Sequence, residues 1–221
     1  NFYNSSICFL YKHVLHIPWD QDTVPRMKLD KKLPEVLTLE EIEKLIDTAT
    51  DIRNKAIIAL LYSSGLRVGE LVRLRPGDIY KSTMQVYIPE SKNHSDHWTI
   101  LSQRALDLLT EYWRSYPVKR DLLFVANKGA RTPLTVSGVE TMLRVIGNEA
   151  GIEVHAHMLR HSFATHMIEN GVDMPFVQAM LGHKCYASTE VYIHVSNKAV
   201  MGIKSPLDHP EKVKDGDQHE Q

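Results

Sequence analysis

From Thr38 onward the chain is written in helix starts and stops, and it breaks that pattern in one place. Thr38-Leu-Glu-Glu41 is a capping box, which predicts a helix through about Thr48. A second helix is expected from about Asp51 to Ser63, stopped by Gly65. Ser102 is placed to cap another as far as about Trp113. Further helices are expected at about 137–149, closed by Gly151, and at about 158–169, closed by Gly171. Asp173 is placed to cap Met174–Leu181, closed by Gly182, and Ser188 a last short helix over Thr189–His194. The interruption lies between Met84 and Leu101, where MQVYI and HWTIL are β-prone runs flanking the polar SKNHSD. They read as a hairpin with a flexible tip, and LLFV at 122–125 as a third short strand. The expected fold class is therefore mainly α with a small antiparallel β-sheet (α+β).

Ahead of this region, Ile7, Leu10, Tyr11, Val14 and Leu15 fall at helical spacing and predict one amphipathic helix over residues 5–16. Pro18 and a basic run follow. The domain reading is a last helix of a truncated N-terminal domain with the start of a linker (1–25), a principal domain at 26–205 whose linker is 26–37, and a polar, mobile tail at 206–221. The chain opens on Asn, and it is read as starting partway into a longer protein.

Composition narrows the class. With 43% apolar and 24% charged residues the chain can bury a real core, which excludes disordered and low-complexity scaffolds. Ala56–Tyr62, the longest apolar run, is far short of the ~20 residues of a membrane span. Two cysteines, Cys8 and Cys185, form no disulfide framework and point to a reducing, intracellular setting. The net charge of −1 argues mildly against a nucleic-acid partner. The charge is unevenly spread, however. Asp208–Gln221 carries five acids against two lysines, so the remainder sums to +2, and Arg26, Lys28, Lys31 and Lys32 make the linker basic.

Four clusters hold residues capable of chemistry. In Gly65-Leu-Arg67-Val-Gly-Glu70, a guanidinium is placed just past a helix stop, and Glu70 three residues on can reach back to orient it. Such a fork suits two oxygens of a phosphate, and a surface Arg–Glu pair is the plainer reading. Lys92 sits at the hairpin tip, either as a solvated charge or as a proton donor that a mobile turn carries into a groove. In His157-Met-Leu-Arg160-His161-Ser-Phe-Ala-Thr-His166, His157 and Arg160 share one face near a helix N-terminus that already favours anions. An imidazole beside a fixed positive fork is what phosphoryl transfer needs. His161 and His166 read as packed, hydrogen-bonded histidines. A zinc reading of His157 and His161 lacks the Glu of HExxH and a convincing third ligand. The fourth cluster is Leu181-Gly182-His183, with Tyr192 nine residues after the histidine; a Cys185–His183 protease pair lacks an orienting partner.

In order and spacing, these clusters resemble the tyrosine recombinase (phage integrase) family over about residues 34–198. SSGLRVGELVRL is similar to its first signature box, HMLRHSFATH to its second and LGHKCYASTEVYIHV to its third. The resemblance is to Xer-type and mobile-element members, and KLPEVLTLEE and IPESKNHSDHWTILS look more like insertion-sequence and integron integrases than housekeeping resolvases. The resemblance implies the tyrosine recombinase catalytic-domain fold and a site-specific DNA recombinase or integrase. In that reading Tyr192 attacks a scissile phosphate to give a 3′-phosphotyrosyl link and a free 5′-hydroxyl. Arg67 and Arg160 clamp the non-bridging oxygens, and Lys92 protonates the departing 5′ oxygen. His157 is acid/base toward the tyrosine, His183 hydrogen-bonds the phosphate and Glu70 orients the active-site Arg and His. The partner implied is double-stranded DNA carrying recombination sites, bound by a homo-tetramer that is monomer or weak dimer when free, with Val195–Leu207 as a candidate exchanged segment. No metal or nucleotide cofactor is implied, because an aryl phosphodiester retains the bond energy. A cytoplasmic, nucleoid-associated bacterial location follows. The rival readings are a type IB topoisomerase and a catalytically silent DNA-binding regulator on the same scaffold.

Overall fold

The computed structural model describes residues 2–17, 35–89, 96–115, 121–126, 132–182, 205 and 207. The chain divides into two units, 1–33 and 34–221.

In the first unit, helix α1 spans Phe2–Phe9 and runs into a π-helical turn, Leu10–Val14. The turn is closed by Leu15 N–H donating to Leu10 O across five residues at 3.0 Å. Ile7, Leu10, Val14 and Leu15, the stripe that predicted a helix, are all exposed.

The second unit is built around one helix buried on nearly every side. Helix α2 (Leu39–Thr48) opens with the expected capping box. Thr38 Oγ1 accepts from Glu41 N–H at 3.2 Å, and Glu41 Oε2 accepts from Thr38 N–H at 2.9 Å. Helix α3 (Ile52–Ser64) starts at Asp51, whose Oδ1 accepts from Arg53 N–H at 2.9 Å, and every residue from Ala56 to Ser64 is buried. A helix apolar all round belongs in a core. Accordingly α3 packs against α2, α5 (Gln103–Ser115) and α7 (Ala156–Glu169). Gly65 ends α3 in the left-handed region at φ 62°. The short helix α4 (Val68–Leu71) follows at once.

The sheet is antiparallel, ordered β1 (Ile79–Tyr80), β2 (Gln85–Ile88), β3 (His97–Ile100). In the hairpin Val86 lies opposite Thr99 and Tyr87 opposite Trp98. Val86 and Thr99 are buried, while Trp98 meets the rings of Tyr87 and Tyr80 at 5.0 and 4.8 Å. Thr99 Oγ1 donates to Ser64 O at 2.7 Å, which fixes the hairpin to the last turn of α3.

The third strand is not where the sequence placed it. Ile79–Tyr80 pairs with β2, and of 122–125 only Val125 forms a bridge, with Pro133. Leu123, Phe124 and Val125 are nonetheless buried. Two of their N–H groups find partners outside the sheet: Leu123 N–H donates to Leu74 O at 2.7 Å and Val125 N–H to Tyr112 Oη at 3.3 Å.

Helix α6 (Val136–Ala150) is closed by Gly151 as expected, and the structure adds an N-cap, Thr135, whose Oγ1 accepts from Gly138 N–H at 3.0 Å. Helix α8 (Met174–Met180) has Asp173 at its N-cap, but the carboxylate makes no capping bond there. The expected helix over Thr189–His194, the hairpin tip and most of the C-terminal segment lie outside the described residues. Ser205 and Leu207 are described and both buried, with Ser205 Oγ donating to Ser63 O at 3.4 Å.

Candidate active site

The site grows from the Gly65 turn. Arg67 is the N-cap of α4, and Glu70, on the first turn of that helix, folds back onto it. Glu70 Oε2 accepts from Arg67 N–H at 2.7 Å, and Glu70 Oε1 meets Arg67 Nη1 at 2.7 Å. The i,i+3 pair forms as the spacing predicts, but it is not a surface pair. Glu70 is only 6% exposed, so its carboxylate acts as an internal strut and Arg67 as the half-buried group it carries.

Arg160 reaches the same carboxylate from α7. Its Nη1 lies 3.7 Å from Glu70 Oε2 and donates to Gly65 O at 2.7 Å, while Nη2 donates to Leu181 O at 2.6 Å. One planar guanidinium thus joins the end of α3, the end of α8 and the carboxylate that holds Arg67. Burial pulls Arg160 down to about 10, with the Arg67 charge acting the same way and Glu70 opposing both. It remains a cation at neutral pH, so two positive forks face one strut.

His157 stands on the first turn of α7, three residues before Arg160, and is largely exposed. Burial of part of its ring lowers its affinity for a proton, and the charges of His161, Arg160, His155 and Arg67 lower it further. A neutral imidazole beside two guanidinium groups is a competent proton acceptor. The rings of His157 and His161 pack edge to face at 4.3 Å. Among the described residues no group of three or more His, Cys, Asp or Glu is placed to hold a metal ion.

Two site features escape the sequence pattern. The first is His155, which caps α7 by accepting from Met158 N–H on Nδ1 at 3.3 Å and starts the helix two residues earlier than expected. Imidazole is not among the usual caps, so only the position of His155 just before the periodic run signals it. The second is the pair of main-chain acceptors, Gly65 O and Leu181 O, which have no side-chain signature at all. Arg67, Glu70, His157 and Arg160 are brought together; Lys92, His183 and Tyr192 lie outside the described residues. The chain passes Arg160 at Leu181, two residues before His183.

His166 is, as expected, packed and hydrogen-bonded: Tyr62 Oη lies 2.8 Å from its Nδ1. Burial lowers its proton affinity, against an opposing pull from Glu169 and Glu40. His166 and His157 therefore both bind a proton less well folded than unfolded, where imidazole titrates near about 6.5. Stability from this source is complete above that value and is lost as pH falls through the folded values. Urea unfolding at pH 8 and pH 5.5 is expected to show a lower midpoint at pH 5.5, and an equal or higher one would contradict the assignment.

The phage integrase family matches residues 35–199. The putative integrase/recombinase y4qK of Sinorhizobium fredii is 30% identical over 92% of this chain and 67% of its own length. Tyrosine recombinase XerD of Oceanobacillus iheyensis is 38% identical over 76% of this chain and 60% of its own. Among solved structures, XerA recombinase superposes with a TM-score of 0.65 at 31% identity, covering 89% of this chain and 71% of that one. XerH recombinase bound to its difH substrate in a pre-cleavage complex gives 0.64 at 26% identity, covering 88% and 64%. The chain thus spans about 60% of the length of the XerD relative and two thirds of y4qK.

Proposed function

We propose, from the premise that this chain belongs to the phage integrase family, that it is the catalytic part of a site-specific DNA recombinase working through a 3′-phosphotyrosyl intermediate. The observation that carries the reading is the single carboxylate of Glu70 shared by Arg67 and Arg160. Two guanidinium groups fixed in that way form a dianion-sized clamp that needs no reorganisation when charge builds on a phosphate in flight.

In this reading the Tyr192 oxygen attacks the phosphorus while the bond to the 5′ oxygen breaks. His157 takes the phenol proton, Lys92 delivers one to the departing 5′ oxygen, and His183 donates a hydrogen bond to the phosphate. A phenol titrates near about 10, so the positive field of the two arginines favours the phenolate that attacks. Rejoining runs the same steps backward with a 5′-hydroxyl from another strand. The partner is double-stranded DNA bearing recombination sites, bound by a tetramer of this protein. The XerH relative, whose solved complex holds difH DNA, supports DNA as the partner. A mobile element is the favoured source, and the bacterial cytoplasm the expected location. Among the described residues no helix is long and apolar enough to cross a membrane.

A DNA substrate nicked beside the cleavage point, carrying the host element's terminal sequence, tests this with chelator present. A covalent protein–DNA band is expected from the full-length protein and none from Tyr192→Phe. A band persisting in the variant would mean another nucleophile. No band from the full-length protein on its own site would favour a regulatory role.

A further inference from the structure

Three contacts run along the seam between α3 and α7 in antiparallel order. Tyr62 meets His166, with Oη 2.8 Å from Nδ1 and the rings edge to face at 5.9 Å. One turn on, Phe163 lies over Gly65 so closely that a Cβ there would sit 2.4 Å from Cδ1. Gly65 O then accepts from Arg160 at 2.7 Å. The first of these contacts joins two polar side chains. Both rings are buried, Tyr62 completely and His166 to 8% exposure. Aliphatic packing would hold the helices together as well, and would not require two polar groups to leave water.

What the polar pair supplies is register. Dispersion contacts tolerate a slide along the seam, whereas a hydrogen bond weakens steeply outside its distance and angle. A shift of α7 by one residue, about 1.5 Å, would part Tyr62 from His166 and draw Arg160 off Gly65 O together. We infer that the Tyr62–His166 hydrogen bond fixes the register of α7 on α3 and is thereby a positioning contact for the Arg160 guanidinium. The consequence for catalysis rests on the phosphate-clamp reading of Arg160. Neutral imidazole can make this bond in either sense, accepting the Tyr62 proton on Nδ1 or donating Nδ1–H to Oη, according to its tautomer. The carboxylates facing the pair are Glu169 on α7 and Glu40 and Glu43 on α2. Burial, which lowers the proton affinity of His166 and raises that of Tyr62, keeps both groups neutral.

The test compares full-length wild type with Tyr62→Phe, His166→Leu and His166→Asn. The Asn side-chain oxygen takes the place of Nδ1 and can still accept from Tyr62. Two readouts are used: single-turnover cleavage of the nicked substrate per folded molecule, with DNA affinity measured alongside, and hydrogen exchange of the Arg160 guanidinium followed by NMR without DNA. Misplacing a reacting group by 1 Å can cost about 10²-fold. For a loosened register, Tyr62→Phe and His166→Leu are expected to cleave about tenfold more slowly, with affinity within about threefold of wild type. Their Arg160 protons are expected to exchange faster, and His166→Asn to restore both readouts. Wild-type cleavage and unchanged Arg160 exchange in Tyr62→Phe and His166→Leu would overturn the inference and leave the pair as core packing. If wild type forms no covalent product, the phosphate-clamp reading fails and the exchange measurement alone decides the register role.

Discussion

Arg160→Lys is expected to slow covalent complex formation by roughly 10²–10³-fold, the loss typical of removing one donor to a transition-state anion. Charge is formally conserved, so the argument is one of shape and of proton affinity. The guanidinium spans Gly65 O at 2.7 Å, Leu181 O at 2.6 Å and Glu70 Oε2 at 3.7 Å at once. An ammonium group presents its donors from one atom and cannot bridge acceptors on opposite sides of a plane. The same burial and the same Arg67 charge that pull Arg160 to about 10 would act on a lysine, which begins near about 10.4 rather than above 12. The substituted cation is therefore pushed toward neutral pH. Its residual activity should fall as pH rises from 7 to 9, across a range where wild type keeps its Arg160 charged. Single-turnover cleavage at those pH values, beside DNA affinity at one fixed salt concentration, reads both effects. A variant within tenfold of wild type would show that Arg160 is structural and that Arg67 alone carries the clamp.

That contrast marks how far the sequence reaches. Arg67 and Glu70 were legible because three residues on a helix start place two side chains on one face, and the backbone does the rest. Gly65 and Thr38 were legible for the same local reason. Arg160 could be singled out beside His157, but not its partners: Gly65 is 95 residues away and contributes only a carbonyl, which every residue type carries. The sheet divides along the same line. The hairpin has two alternating runs and a polar tip, so it could be seen, whereas β1 is two residues long, too short for any periodicity. LLFV has strand-like residues because it is buried, and burial, not pairing, is what those residues select. His166 was expected to be hydrogen-bonded, yet Tyr62, 104 residues earlier, could not be named as its partner.

Gly65→Ala is expected to cost roughly 2–5 kcal/mol of folding stability, by adding a left-handed backbone penalty to overpacking. The φ of 62° is disfavoured for any residue with a Cβ. The new atom would then stand 2.4 Å from Phe163 Cδ1, 2.8 Å from Cε1 and 3.0 Å from Leu181 Cδ2. Phe163 is fully buried. Gly151→Ala supplies the control, since its φ is 69° but a Cβ there meets nothing within 4 Å. That variant carries the backbone penalty alone, about 1 kcal/mol. The difference between the two urea-unfolding free energies isolates the clash, and equal losses would show that the seam yields freely. The relief available to Gly65→Ala has a direction. Phe163 can retreat only with α7, and Leu181 only with the end of α8, and these are the two elements whose contacts hold Arg160. Folded Gly65→Ala should therefore also cleave more slowly than folded Gly151→Ala, because the glycine that lets α3 end is the same residue whose carbonyl receives the guanidinium.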